Sequence, residues 1–366
     1  MRFGVKSYLQ ATLQRRFAEP GMQLIMEPKA PKITDVARLA GVSTATVSRA
    51  LSKPETVAES TRNTVLAAAE KTGYRVNLSA RNLRRQRTGA IVVLVPNLGN
   101  PFFSEILAGI ETALSEADIN MLVVDTRQAH MKPQLVIEYL HATRADGIIA
   151  LDGSLPDAIL SVASSGAGAP PIIFACEWTP KGEFSSVRAN NARGGELAIA
   201  HLTGLGHRMI GMITGPEDNV LTRTRSKGVL RELTARGLAL NPHHLFAGDF
   251  TLDAGAQAAQ AWLQLDQRPT ALFCQSDQMA FGFISELSRH NISVPNDVSV
   301  VGFDDIAIAR RFIPALTTLR QPRKKLGLCA ARMLIERIRT SPGPAVETTI
   351  LEVELIVRDS TKAFPG

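Results

Sequence analysis

Residues 35–49 have the sequence DVARLAGVSTATVSR, which predicts two short helices joined by a tight turn. Thr34 stands where it can cap the first helix, with Asp35 near the positive end of the helix dipole. Gly41 ends this helix, and Ser43 can cap the next one. Helical spacing predicts an inward apolar face for the first helix that consists of Val36, Leu39 and Ala40. Two helices around a glycine-bearing turn are the pattern of a helix-turn-helix.

The second helix of this motif has the composition of a helix that reads DNA. Its inward face would consist of Val47, Ala50 and Leu51. Its outward side would then present Thr44, Ala45, Ser48 and Arg49. Short side chains allow close approach to base edges, and an arginine one turn further on reaches a guanine or a phosphate. The alternative is a structural three-helix bundle without DNA contacts.

The segment that follows completes a basic N-terminal region. A third helix over about 59–71 would turn Val65, Leu66 and Ala69 inward and stop at Gly73. Five arginines lie between residues 75 and 89. Residues 1–89 carry a net charge of +10, whereas the remaining chain carries −3. This asymmetry predicts a polyanionic partner for the N-terminal region alone.

From Ala90 onward, unbroken apolar runs alternate with helical patterns. Such runs are typical of parallel strands that helices cover on both faces. The first set predicts strands at 91–95, 121–124, 147–151 and 172–175, with helices near 103–117, 133–143 and 156–164. After Val187 a second set predicts strands at 209–213, 271–274 and 298–303, with helices near 192–204, 224–236, 253–265 and 277–289. We therefore expect an all-α head followed by an α/β core of two doubly wound units, with a ligand in the crevice between them.

Several classes of protein are disfavoured. The chain has 366 residues with 45% apolar and 20% charged residues, which is ordinary globular composition. Its three cysteines are widely spaced and form no metal-binding pattern, so we expect buried thiols, no metal and no cofactor. The sequence lacks the GxSxG, P-loop and HExxH motifs of common enzymes. It also lacks a transmembrane run and a clear secretory signal, which favours a cytoplasmic protein without membrane contact.

Further motifs follow the helix-turn-helix in a fixed order: Ser60-Thr61-Arg62, Gly73-Tyr74, Asn100-Pro101-Phe102-Phe103, Asp146-Gly147-Ile148-Ile149, Gly206-His207-Arg208, Ser276-Asp277-Gln278-Met279-Ala280, Val301-Gly302-Phe303-Asp304-Asp305 and Leu316-Thr317-Thr318. Together they closely resemble the LacI/GalR family of bacterial transcriptional regulators over about 32–360. Within that family the chain is most similar to the cytidine-repressor branch, through residues 43–51, 248–251 and 354–358.

The resemblance implies a domain organisation that the residue patterns do not give. Residues 1–30 would be an extension outside the fold, with Met22 or Met26 as alternative starts, 31–75 the DNA-binding head and 76–89 a hinge helix or linker. The core would be periplasmic-binding-protein-like, with one subdomain of 90–189 and 320–342 and another of 190–316 and 346–360. Its three crossovers would lie near Ala189, 316–321 and 342–346. A helix near 323–339 would return to the first subdomain, and a strand near 350–357 to the second.

The resemblance also implies two sets of functional residues. The DNA-binding set consists of Thr34, Ser43, Thr44, Ala45, Thr46, Ser48 and Arg49 in the head, with Asn77, Ala80 and Leu83 in the hinge. In the family, paired hinge helices enter the minor groove and a leucine wedges a base step. A flexible linker that contacts only phosphates is the alternative. The effector set consists of Phe102, Phe103, Arg225, Phe250, Ser276 and Asp304.

This sequence departs from the family pattern at three positions. Ala58 replaces a common serine cap of the third helix, which would cost about 1 kcal/mol. Val76 stands where a proline is common, and Cys176 stands where some relatives have Asp or Asn. The last departure leaves open which ligand groups meet that strand.

We interpret the chain as a homodimeric repressor that binds pseudo-palindromic double-stranded operator DNA. A small effector, a sugar or a nucleoside, would set its affinity. The first alternative is a solute-binding protein of a transport system, which would share the core but lack the helix-turn-helix. The second is an α/β enzyme, which would need a nucleophile or metal set.

Overall fold

The structure, a computed structural model, describes residues 31–75, 88–126, 133–140, 145–164, 170–181, 184–340 and 345–365. The expected extension 1–30 and most of the expected hinge lie outside these ranges. The chain divides into two compact units, of which the first ends at Arg81 and the second begins at Asn82.

Within residues 31–75 the first unit contains three α-helices, α1 (Ile33–Ala40), α2 (Thr44–Ser52) and α3 (Glu59–Thr72). Their shared core consists of Val36, Ala37, Val47, Ala50, Val65 and Ala68. The expectation that Leu39 and Leu66 face inward is wrong, since both are nearly half exposed. The face of α1 that packs on the core contains Val36, Ala37 and Ala40, and that of α3 contains Val65, Ala68 and Ala69. Leu39 and Leu66 point away from these faces.

The ends of these helices confirm some predicted caps and correct one. Thr34 does not cap α1, because α1 begins at Ile33, one residue before Thr34. Instead, the Asp35 carboxylate accepts the backbone N–H of Lys32, with 2.9 Å between Oδ2 and N. The Ser43 hydroxyl accepts the Thr46 backbone N–H, with 3.1 Å between Oγ and N, as predicted. Ala58 stands at the N-cap of α3 without a side-chain hydrogen bond.

The second unit is built on two six-stranded sheets with helices on both faces, which confirms the predicted fold class. The first sheet has the order β11-β5-β4-β3-β1-β2 and the second β12-β10-β9-β8-β6-β7. The strands are β1 (Ala90–Val95), β2 (Asn120–Asp125), β3 (Gly147–Ala150), β4 (Ile172–Ala175), β5 (Ser185–Ala189), β6 (Ile210–Ile213), β7 (Leu245–Phe246), β8 (Ala271–Cys274), β9 (Ser299–Asp304), β10 (Thr317–Arg320), β11 (Thr348–Leu351) and β12 (Glu354–Ile356). All described pairings are parallel except that of β10 with β12.

The helices in the described part of this unit lie within a few residues of their expected positions, seven from the apolar patterns and the last, at 323–339, from the family resemblance. They are α4 (Phe102–Glu116), α5 (Pro133–Leu140), α6 (Asp157–Ser164), α7 (Asn191–Gly204), α8 (Val220–Ala235), α9 (Leu252–Leu263), α10 (Asp277–Arg289) and α11 (Arg323–Arg339). Among the described residues, no helix is long and apolar enough to cross a membrane.

The chain crosses between the two sheets three times, and the last crossing differs from the expectation. α11 packs on α4 so closely that a Cβ on Gly327 would lie 2.0 Å from the Ile106 carbonyl oxygen. β11 then pairs with β5 in the first sheet, and β12 pairs with β10 in the second. The crossing therefore lies between Leu351 and Glu354 rather than at 342–346, because backbone pairing with β5 makes β11 the outermost strand of the first sheet.

Candidate functional site

The exposed side of α2 forms the first candidate site. Thr44, Ala45 and Arg49 are exposed, while Thr46 and Ser48 are half-buried. The Thr46 hydroxyl lies 2.9 Å from the Ser43 hydroxyl, so it supports the start of the helix as well as facing outward. Thr34 is exposed on α1. The predicted residues thus form one polar surface with small side chains and a single long cation, which is compatible with a major groove.

The three predicted hinge residues, Asn77, Ala80 and Leu83, lie outside the described residues.

A cavity between the two sheets of the second unit forms the second candidate site. The predicted effector residues Phe102, Phe103, Arg225, Phe250, Ser276 and Asp304 all line it. The structure adds four lining residues: Asn100, Cys176, Glu177 and Leu221. The motif Asn100-Pro101-Phe102-Phe103 was a sequence signal for Asn100, whereas Glu177 had no signal beyond its place after a strand.

Arg225 is the main cation of the cavity. It is only 2% exposed, and its Nε donates to Asn191 Oδ1 at 2.9 Å. Its guanidinium carbon lies 3.8 Å from the centre of the Phe303 ring. Burial lowers the pKa of Arg225, and the Asp304 carboxylate opposes this shift. The hydrogen bond and the ring contact fix the guanidinium plane, so that it can act as a preorganised donor.

Asp304 supplies the opposing carboxylate at the end of β9. Its Oδ1 accepts the Gln321 side-chain amide at 2.7 Å. Its φ of 129° is unusual for a residue other than glycine. Burial raises the pKa of Asp304, while Arg225 and the Gln321 amide oppose the increase. A buried carboxylate and a buried guanidinium at one cavity can together bind hydroxyl groups, since one accepts and the other donates.

Aromatic rings from both subdomains provide the apolar walls. The rings of Phe102 and Phe103 meet edge to face, with 5.1 Å between centroids. On the opposite side, the Phe250 ring lies against Gly215, where a Cβ would be 2.0 Å from Cζ. Phe250 itself has a φ of 67°. The glycine and the left-handed backbone are therefore what allow this ring to reach the cavity.

Cys176 and Glu177 occupy the first-subdomain side of the cavity. Burial raises the pKa of the Cys176 thiol, so the thiol is neutral and unreactive at ordinary pH. Burial also raises the pKa of Glu177 to about 7, with the nearby Asp152 charge acting in the same direction. Hydrogen bonds from Gly153 and Asn219, and the charge of Arg225, oppose this increase.

Within the described parts of the chain, no group of three or more His, Cys, Asp or Glu residues is arranged to hold a metal ion. The cavity presents the Arg225–Asp304 pair, aromatic walls, the neutral Cys176 thiol and the Glu177 carboxyl group. This arrangement can bind a compact ligand that has hydroxyl groups at one side and an apolar face at the other.

Comparison with protein families and solved structures gives matches along the chain. Residues 32–77 match the model "Bacterial regulatory proteins, lacI family", and residues 199–361 match a periplasmic binding protein-like domain. The HTH-type transcriptional repressor CytR of Escherichia coli K12 is 36% identical over 94% of this chain and 100% of that protein. The HTH-type transcriptional repressor PurR of Photobacterium profundum is 33% identical over 90% and 98%.

Two solved structures share the architecture. The lac repressor dimer bound to operator and the anti-inducer ONPF has a TM-score of 0.78 and 28% identity, over 92% of this chain and 100% of that chain. The complex of the transcriptional regulator CelR with cellobiose has a TM-score of 0.69 and 30% identity, over 90% and 99%.

Proposed function

The chain belongs to the LacI family of bacterial regulatory proteins, and on this premise we propose that a polyhydroxylated ligand in the cavity between its α/β subdomains sets its affinity for operator DNA. Its relatives over nearly the whole length are transcriptional repressors, so the protein is a DNA-binding transcription regulator and not an enzyme.

The convergence of six residues on one cavity carries the proposal for the ligand. These residues come from five separate segments of the chain, and all six belong to the effector set that the family resemblance implies. In this proposal Arg225 and Asp304 bind hydroxyl groups of a pentose or hexose. Phe102 or Phe103 covers an apolar ring face, and Ser276 lies beside the polar end. The ligand is therefore a nucleoside or a sugar.

A ligand panel tests this proposal directly. Cytidine, adenosine, ribose and cellobiose are added separately to the purified full-length protein, and unfolding is followed by thermal shift and calorimetry. A compound present at a hundred times its dissociation constant stabilises the folded state by about 2.7 kcal/mol. If no member of the panel shifts unfolding, and none binds in calorimetry, the proposed ligand class is wrong.

For DNA, we propose that a homodimer binds a pseudo-palindrome through α2 of each subunit. The support is the exposed polar surface of α2 and the net +10 charge of residues 1–89. Thr44 and Ala45 would approach base edges, and Arg49 would bind a guanine. Arg49→Ala should then cost about 1–3 kcal/mol for operator DNA while changing the affinity for random DNA much less. Equal losses on both DNAs would reduce Arg49 to a phosphate contact.

For the hinge, we propose that Leu83 wedges a base step in the minor groove, with Asn77 and Ala80 on the same helix. The support here is the family resemblance of residues 77–83. A leucine wedge unstacks a base step, and the contacts that the bent DNA makes with the protein offset this cost. Leu83→Ala removes the wedge, so it should weaken operator binding and reduce DNA bending. Ligand affinity should be unchanged. Normal bending by the variant would favour the flexible-linker alternative.

A further inference from the structure

A strained turn at the end of β4 directs a carboxylate towards the second subdomain. Cys176 has a φ of 71°, in the left-handed region. The Glu177 backbone N–H donates to the Ala175 carbonyl at 2.9 Å, which closes a three-residue γ-turn. A γ-turn with a left-handed central residue is rare and strained, and strain of this kind is concentrated at functional sites. The Cys176 N–H donates to the Val187 carbonyl and fixes the turn to β5.

The Glu177 carboxylate connects three structural elements. Its Oε2 accepts the Gly153 N–H at 3.0 Å, in the loop after β3 of its own subdomain. Its Oε1 accepts the Asn219 side-chain amide at 3.1 Å, across the cleft. Asn219 is the N-cap of α8, where its own Oδ1 accepts the Leu221 N–H at 2.8 Å. Because α8 also carries Arg225, Glu177 is linked through one residue to the helix that supplies the cavity's guanidinium.

We propose that Glu177 is a positioning residue of the cleft, which ties the first subdomain to the start of α8, and that uptake of a proton by Glu177 favours the closed cleft. This inference rests on the proposed function in one respect, which is that the cleft between the two subdomains is taken as the ligand site.

The electrostatic surroundings of Glu177 determine the sign of this effect. Burial, and to a smaller extent the charge of Asp152 in the loop after β3, raise its pKa, which is about 7 overall. Arg225 on α8 acts in the opposite direction, as do the amide donors of Gly153 and Asn219. The neighbouring Cys176 thiol is neutral. Among the described residues that line the cavity, Asp304 is the other carboxylate; its charge, like that of Glu177, raises the pKa of Arg225, and burial raises its own pKa.

Opening the cleft would return Glu177 to water, where its ordinary pKa of 4.5 applies. The closed cleft therefore binds a proton more tightly than the open one, and closure takes up a proton between these two values. Above pH 7 the ionised carboxylate opposes closure. Below pH 7 the neutral acid still has a carbonyl oxygen that accepts the Asn219 amide. With a pKa of about 7, the ratio of closed to open molecules should rise about tenfold from pH 8 to pH 6.

The test measures the cleft directly and without a ligand. Spin labels are placed at Glu111→Cys on α4 and Gln257→Cys on α9, both exposed, with Cys329→Ser in the background. Labelled full-length protein is diluted with excess unlabelled protein, and distances are read by pulsed electron resonance at pH 6 and pH 8. The wild-type background should show the short-distance population rising as the pH falls.

Two variants separate the proton from the hydrogen bond. Glu177→Gln removes the titrating group, so its short-distance population should be the same at pH 6 and at pH 8. Asn219→Ser keeps a good N-cap for α8 but is too short to bridge the cleft, so its short-distance population should fall at both pH values.

Two outcomes would overturn the proposal: a wild-type ratio that does not change with pH, or a Glu177→Gln variant that keeps the wild-type pH dependence. Unchanged distances in Asn219→Ser would refute the tie to α8. No ligand is added in the spin-label experiment. A negative result in it therefore does not bear on the proposed ligand class, and a negative ligand panel does not bear on the measured distances.

Discussion

Replacing Asp304 by asparagine should stabilise the protein and at the same time weaken its ligand binding. Asp304 is 6% exposed, and burial raises its pKa above the ordinary value. The unfolded chain therefore releases this proton at a lower pH than the folded protein does, and the folded state carries a penalty wherever the group is ionised. Asparagine removes the charge and keeps an acceptor for the Gln321 amide. It also tolerates unusual backbone angles about as well as aspartate.

The size of the stability gain depends on pH in a defined direction. Each unit of pKa elevation corresponds to about 1.4 kcal/mol, so the Asp304→Asn gain at pH 8 should be on the order of 1–3 kcal/mol. The gain is fully present above the folded-state pKa and shrinks as the pH falls below it, because both states then become neutral. Urea unfolding of the wild-type protein and of Asp304→Asn at pH 8 and pH 5 measures this difference in the free energy of unfolding. The comparison requires that this free energy depends on urea concentration with the same slope in both proteins.

The loss of ligand binding follows from the same carboxylate. A hydrogen bond to a charged group is worth about 1.5–3 kcal/mol, so affinity should fall roughly 10- to 150-fold. Calorimetry with the compound of the panel that gives the largest thermal shift measures this change. The matched control is Asp305→Asn, since Asp305 accepts Arg320 at 2.7 Å and Arg358 at 2.6 Å and does not line the cavity. This control should lose stability and keep its ligand affinity.

If Asp304→Asn loses stability at pH 8 and binds ligand normally, the carboxylate serves the fold rather than the ligand. The assignment of the polar end of the cavity would then be refuted.

Three further predictions concern the head, the helix packing and the charge. Ala58→Ser should supply the missing cap of α3 and stabilise the head by about 1 kcal/mol, seen as slower amide exchange in α3. Gly228→Ala should destabilise the core by about 1–3 kcal/mol or more in urea unfolding, because its Cβ would lie 1.9 Å from the Ala192 carbonyl oxygen. The control Gly204→Ala, with open space around its Cβ, should be neutral or slightly stabilising. Operator affinity should fall steeply and linearly on a log–log plot against salt, and a flat plot would contradict phosphate binding by the basic N-terminal region.

The strands that could be predicted from the sequence were those with unbroken apolar runs. β5 (Ser185–Ala189) escaped detection because it begins with two serines, yet both are buried. The Ser185 hydroxyl accepts the Glu347 backbone N–H at 3.0 Å, from a segment 162 residues away. A polar strand of this kind is stable only because distant partners satisfy its hydroxyl groups, and no local pattern carries that information. The same holds for β11, whose membership of the first sheet depends on its pairing with β5.

The cavity shows a similar division between what a sequence can and cannot reveal. Arg225 and Asp304 follow strands of one sheet, and the carboxyl ends of parallel strands lie at one edge, so their approach to a common crevice was predictable. The hydrogen bond between Glu177 and Asn219 was not, because it depends on a left-handed backbone at Cys176, a residue type that gives no warning of it. Cys176 therefore matters for its backbone conformation as well as for its thiol. The turn at Cys176 directs the Glu177 side chain across the cleft. The pairing of Arg225 with Asp304 does not involve this turn, whereas the proposed proton-linked tie depends on it.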